Sequence, residues 1–143
     1  DTTGRLVGAA LDRFGLLDEA TAITGEIEVG RFLQSTAEDL AKLERGCLDA
    51  PYHFLKGVLP QMVEQGSGQV LVITSSSGAR TTPGAPVYSA MRAGATHLLR
   101  NVAREMAPAG VQVNGLGTNF MDFPAFLAAN RASDPEGRAR VES

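Results

Sequence analysis

Hydrophobic and polar positions fall into blocks of two kinds along the 143-residue chain. Gly68-Gln69-Val70-Leu71-Val72-Ile73-Thr74-Ser75 is β-branched and almost continuously apolar between turn residues, the pattern of a strand buried on both faces of a parallel sheet. Similar runs predict strands over residues 17–24 and 111–116. Between them, apolar residues recur at helical spacing and predict helices over 5–14, 36–65 and 86–107. The 36–65 region opens on Ser35-Thr36-Ala37-Glu38-Asp39, a hydroxyl cap followed by acidic residues, and stops before Gly66 and Gly68. Pro51 inside it predicts either two helices or one kinked helix. Strands separated by helices of this length imply right-handed βαβ crossovers and a parallel sheet, an α/β fold. Residues 78–86 are Gly, Pro and Thr with few apolar positions, a loop placed to overhang the sheet edge. After Phe126 the pattern weakens into a loop and then a short polar helix.

Candidate chemistry gathers at the end of the apolar run. Ser75 closes that strand, and the carboxyl edge of a parallel sheet is where α/β folds hold their ligands. Tyr88 follows thirteen positions later and Arg92 four beyond it, so both side chains leave one face of the first turns of a helix. A free tyrosine titrates near ~10, too high to take a proton at neutral pH, but an opposite charge within about 4–6 Å lowers such a value by ~1–3 units. Arg92 supplies a charge that persists whatever else is bound. The trio reads as a general base, its cation and a hydroxyl that positions the substrate oxygen. Ser75, within a Ser-Ser-Ser run, reads equally as a strand-end cap, and Phe123 and Phe126 read equally as core packing. His53 and His97 lie in helical stretches without carboxylate or cysteine at metal-ligand spacing, so no metal is expected.

Composition narrows the class. The chain is 43% hydrophobic and 20% charged with a net charge of −3, and no basic stripe points to nucleic acid or an anionic membrane. Cys47 is the single cysteine, so no internal disulfide is expected and a reducing cytoplasm suits the chain. No apolar run reaches the ~18 residues of a membrane-spanning helix, and Asp1 begins nothing like a signal peptide. One domain over residues 1–143 is expected.

Ser75, Tyr88 and Arg92 resemble the catalytic residues of the short-chain dehydrogenase/reductase superfamily, whose pattern is Ser followed by Tyr-x-x-x-Lys. Arginine in the last place resembles one branch, the halohydrin dehalogenases, which work without a nicotinamide cofactor. A second stretch is similar to that branch. Where reductases carry a Pro-Gly turn, this chain has Gly117-Thr118-Asn119-Phe120-Met121-Asp122-Phe123-Pro124-Ala125-Phe126, which looks like the halide-binding loop of the G-type members that accept bulky epoxides. The resemblance runs from Leu17 to the end and implies a Rossmann-like, doubly wound parallel sheet, with further elements expected on either side of an incomplete domain. Three positions depart from the reductases: Ala22-Ile23-Thr24-Gly25 replaces Asn-Asn-Ala-Gly, Leu48 stands at the asparagine of their proton relay, and Thr118 replaces proline.

The activity that the resemblance implies is the reversible conversion of vicinal halohydrins to epoxides, with azide, cyanide or nitrite opening the epoxide in reverse. Tyr88 would remove the hydroxyl proton and Ser75 hold the oxygen. Thr118, Asn119 and Phe120 would offer backbone N–H groups to the halide, an arrangement that binds anions. Ser77, Phe123 and Phe126 would line the substrate pocket, and Asp122 is expected to point away from the anion. No cofactor is implied, and the partners are a small halohydrin or epoxide and a small anion. Helices around 50–62 and 90–106 are apolar on more than one face, and the resemblance implies that they pair across subunits of a homotetramer. Two alternatives stay open: an NAD(P)-dependent oxidoreductase in which arginine replaced lysine, and a non-catalytic scaffold subunit.

Overall fold

β2 (Gly68–Ser75) is the middle of three parallel strands, flanked by β1 (Glu19–Ile23) and β3 (Val111–Thr118). The computed structural model describes residues 2–119, 121–129 and 132–142. Ala20, Val70 and Val113 stand abreast in the sheet, as do Ala22, Val72 and Gly115. Alternate side chains of a strand leave opposite faces. These two rows therefore share a face, where Ala22, Val70, Val72 and Val113 are all buried. Ile23, Ile73 and Leu116 form a row on the other face, and there Ile23 is 83% and Leu116 52% exposed. The apolar run of β2 predicts burial on both faces; in this chain α3 and α4 pack one of them.

That core joins Leu55, Val58, Leu59 and Met62 of α3 (Ala50–Gln65) and Leu99 of α4 (Pro86–Met106) to the strand rows, with Val7 of α1 (Thr2–Phe14) alongside. Side chains as withdrawn from water as Val58 and Met62 each stabilise a fold by about 1.5–3 kcal/mol. α4 lies close over the sheet, since a methyl added at Gly115 would stand 2.9 Å from Leu99 Cδ1.

The 36–65 region is two helices, α2 (Ala37–Glu44) and α3, joined by a π turn over Arg45–Asp49. Pro51 lies in the first turn of α3, where a missing N–H disturbs least. Thr36 and Asp39 cap α2 reciprocally: the Asp39 N–H donates to Thr36 Oγ1 at 3.1 Å and the Thr36 N–H to Asp39 Oδ2 at 2.8 Å. Past β3 the structure departs from the expected loop. Pro124–Ala129 forms α5, opened by proline and built from good helix formers, and Pro135–Glu142 forms the short polar helix α6. Among the described residues no helix is long and apolar enough to cross a membrane.

Candidate active site

α4 begins at Pro86, whose fixed φ suits a first helical turn, and delivers Tyr88 and Arg92 one turn apart on the same face. Arg92 Nε donates to the Tyr88 hydroxyl oxygen at 3.1 Å, and the guanidinium carbon stands 5.3 Å from the Tyr88 ring centre. Nη2 of the same side chain donates to the Thr24 carbonyl at 3.0 Å, just past the end of β1. Only 9% of Tyr88 and 7% of Arg92 meet solvent. A buried guanidinium is costly unless its N–H groups are paired. Here the partners among the described residues are a phenol and a carbonyl rather than a carboxylate, so its charge is held in place without being neutralised by an ion pair.

Neighbouring positions fit around this pair. Gly25 has φ 139°, and a Cβ on it would collide with Arg92 Nη2, so the turn after β1 admits only glycine without displacing the guanidinium. The Tyr88 side chain packs with Leu43, Cys47 and Ala85 in a second apolar cluster. Cys47 also donates its S–H to the Glu26 carbonyl at 3.2 Å, tying the π turn to the segment after β1. Leu48, in that turn, faces α4: a methyl at Gly94 would lie 3.7 Å from Leu48 Cδ1. The position where the resemblance puts the reductases' asparagine is thus an apolar contact.

Ser75 ends β2 and caps a 3-10 turn over Ser76–Gly78, its Oγ accepting the Ser77 N–H at 3.2 Å and lying 3.2 Å from Ser77 Oγ. The strand-end cap is therefore present, and it sets Ser75 and Ser77 side by side. Their turn rests on α4, for a methyl at Gly78 would come within 2.7 Å of the Arg92 carbonyl. A cleft of about 800 Å³ runs from Ser75 and Ser76 along β3 to Asn114, with Thr96, Arg100 and Arg104 of α4 opposite. Tyr88 and Arg92 are not among its walls.

The segment beyond β3 is anchored at both ends. Thr118 Oγ1 donates to the Thr74 carbonyl at 3.3 Å, and Asn119 Oδ1 accepts from Arg80 Nη2 at 2.8 Å. Asp122 receives two N–H donors from Arg138 of α6, at 2.9 and 2.7 Å, so its carboxylate is turned to that helix. Those donors hold the Asp122 carboxyl below the usual carboxylate range. Phe123 is 44% exposed and thus outside the core, with its ring centre 6.0 Å from that of Phe126. Phe120, the third of the expected halide-binding residues, lies outside the described residues.

Thr24, Arg80 and Arg138 are contacts that the sequence did not announce. Thr24 acts through its carbonyl, which has no side-chain signature; its hydroxyl is buried and lacks a partner among the described residues. The glycine beside it was the available signal. Arg80 sits in a Gly-, Pro- and Thr-rich loop, and Arg138 in a polar helix of low amphipathicity, where an arginine looks like any surface charge.

The family model described as short chain dehydrogenase matches residues 1–134. An uncharacterized NAD-dependent oxidoreductase of Mycobacterium tuberculosis is 30% identical over 84% of this chain and 44% of its own length. A 3-oxoacyl-[acyl-carrier-protein] reductase of Synechocystis is 31% identical over 85% of this chain and 49% of its own length. A solved structure described as a dehalogenation enzyme superposes with a TM-score of 0.85 at 24% identity, over 96% of this chain and 57% of that one, a likeness of fold. The chain spans about half the length of the curated relatives it matches.

Proposed function

We propose, given that this chain belongs to the short-chain dehydrogenase family, that its site performs halohydrin dehalogenation. The observation that supports this most is Arg92, standing where the family pattern has lysine and committed through Nε to Tyr88 and through Nη2 to Thr24. The family also implies a nicotinamide dinucleotide, whose ribose the reductases' lysine binds. Two of Arg92's five N–H donors are committed to protein acceptors and Thr118, in place of proline, gives its hydroxyl to the Thr74 carbonyl; on this reading Arg92 serves Tyr88 rather than a ribose. No step of the reaction below uses a nucleotide.

Tyr88, as phenolate, takes the hydroxyl proton of a vicinal halohydrin. The alkoxide oxygen then forms a bond to the neighbouring carbon as the carbon–halogen bond breaks, giving an epoxide and a halide ion with no net oxidation. The proton leaves Tyr88 for solvent before the next turnover. Arg92 donates to the oxygen on which negative charge resides in that step, in a site withdrawn from water where such a donor is strongest. Ser75 and Ser77 hold the substrate oxygen, Thr118, Asn119 and Phe120 receive the halide, and Phe123 and Phe126 face the apolar part of the substrate. The protein is a cytoplasmic homotetramer on this reading, and the groove between α3 and α4, about 330 Å³ and walled by Tyr52, Leu59, Val63, Leu98 and Met106, is its pairing face.

The test is bromide release from 2-bromo-1-phenylethanol by the intact protein without nucleotide, followed by ion chromatography, with styrene oxide measured in parallel. Equal amounts of bromide and epoxide are expected. The names of the curated relatives favour a second reading, an NAD(P)-dependent oxidoreductase. It expects oxidation or reduction of the nicotinamide with an alcohol or ketone and no bromide; that result would replace the first reading.

A further inference from the structure

Arg80 lies just past the Ser76–Gly78 turn and reaches across to the segment after β3, where its Nη2 meets Asn119 Oδ1 at 2.8 Å. Ser76 Oγ lies 3.2 Å from the same oxygen. A guanidinium has donors and no acceptor. The end of the carboxamide that faces Arg80 must therefore be its oxygen, which fixes an orientation that an asparagine side chain otherwise leaves open. With Oδ1 held by two donors, the amide end, Nδ2, has no hydrogen-bond partner among the described residues and is the end left to meet a ligand.

Resting on the dehalogenase reading, we propose that Arg80 is a positioning residue that sets the polarity of Asn119 toward the leaving halide or the incoming anion. An anion is attracted by N–H donors and repelled by a carbonyl oxygen. Arg80 acts on it through Asn119. Without Arg80 the carboxamide keeps only the Ser76 hydroxyl, which can accept from Nδ2 as well as donate to Oδ1, so it presents its oxygen for part of the time and anion affinity falls while the epoxide, held by other groups, binds as before. A general effect of positive charge would behave differently: it would persist when the asparagine is gone.

The experiment is azide-driven opening of styrene oxide by the intact protein, with KM measured separately for azide and epoxide in wild type, Arg80→Ala, Arg80→Lys, Asn119→Ala and the Arg80→Ala/Asn119→Ala double variant. Arg80→Ala is expected to raise the azide KM about 5-fold, the effect of one lost hydrogen bond, with epoxide KM and melting temperature unchanged. Arg80→Lys, which keeps a donor, should recover most of that loss. In the Asn119→Ala background, removing Arg80 should add nothing, since the two act as one unit. An unchanged azide KM in Arg80→Ala, or an undiminished effect in the Asn119→Ala background, would overturn the proposal while leaving dehalogenation intact. A wild type that releases no bromide and opens no epoxide would remove the reading on which it rests.

Discussion

Arg92 is the residue on which the proposed chemistry turns, and its geometry explains why lysine would not reproduce its contacts. One planar group reaches the Tyr88 oxygen at 3.1 Å and the Thr24 carbonyl at 3.0 Å in different directions, which a single ammonium on a flexible stem cannot reproduce. Arg92→Lys is accordingly expected to lower the rate of bromide release at least ~10-fold, since the cation no longer holds the phenolic oxygen in place. In a hydride-transferring enzyme the same change would restore the family pattern and raise nicotinamide turnover, so measuring both activities in the variant separates the readings. Ser75, Tyr88 and Arg92 were legible in the sequence because chemistry-bearing side chains fell at strand-end and helical spacing. Thr24 was not, because a main-chain acceptor is the same in every residue.

At the scale of elements, the strand-to-turn-to-helix geometry that gathers the site depends on close backbone approach. Gly78 is its tightest point: a methyl within 2.7 Å of the Arg92 carbonyl meets backbone that cannot rotate away. Gly78→Ala is expected to cost about 1–3 kcal/mol, read as a lower midpoint in urea, and to reduce activity by moving Ser75 off α4. The segment after β3 depends instead on charge. Asp122, whose carboxyl is held low by Arg138, contributes to anchoring that is complete above the unfolded carboxyl value near ~3.9 and is lost as pH falls through its lower folded value. Amide protection factors, corrected for the intrinsic pH dependence of exchange, at residues 118, 119 and 121–123 should therefore be constant from about pH 5 to 8 and fall in strong acid, and Asp122→Asn should lower them at every pH where the wild-type carboxylate is ionised. The main helices and strands were legible from periodicity within a few residues. α5 was not: Pro124–Ala129 is too short for a period to show, and Phe123 and Phe126 around it read as loop or core with equal ease.

At the scale of the whole molecule, one face of the sheet is packed by α3 and α4, and those two helices carry an apolar groove outward. Val63, 41% exposed, and Tyr52, 46% exposed, border it. If this groove is the proposed pairing face, Val63→Asp places a charge where a partner's apolar surface would desolvate it, and light scattering should find smaller assemblies than for wild type, with helical content kept. Sequence periodicity showed these helices to be apolar on more than one face, yet no single-chain pattern separates a core face from a pairing face, since both are bought by the same removal of apolar area from water. The proposed catalysis asks more of the fold than burial: a phenolic oxygen must stand beside a fixed cation. The most direct measurement is nucleotide-free bromide release by Tyr88→Phe beside wild type, with circular dichroism as a check on folding. Wild type is expected to release bromide and the variant, folded alike, to lose about 10³-fold in rate; a folded Tyr88→Phe that releases bromide at the wild-type rate would contradict the assignment of Tyr88 as the base.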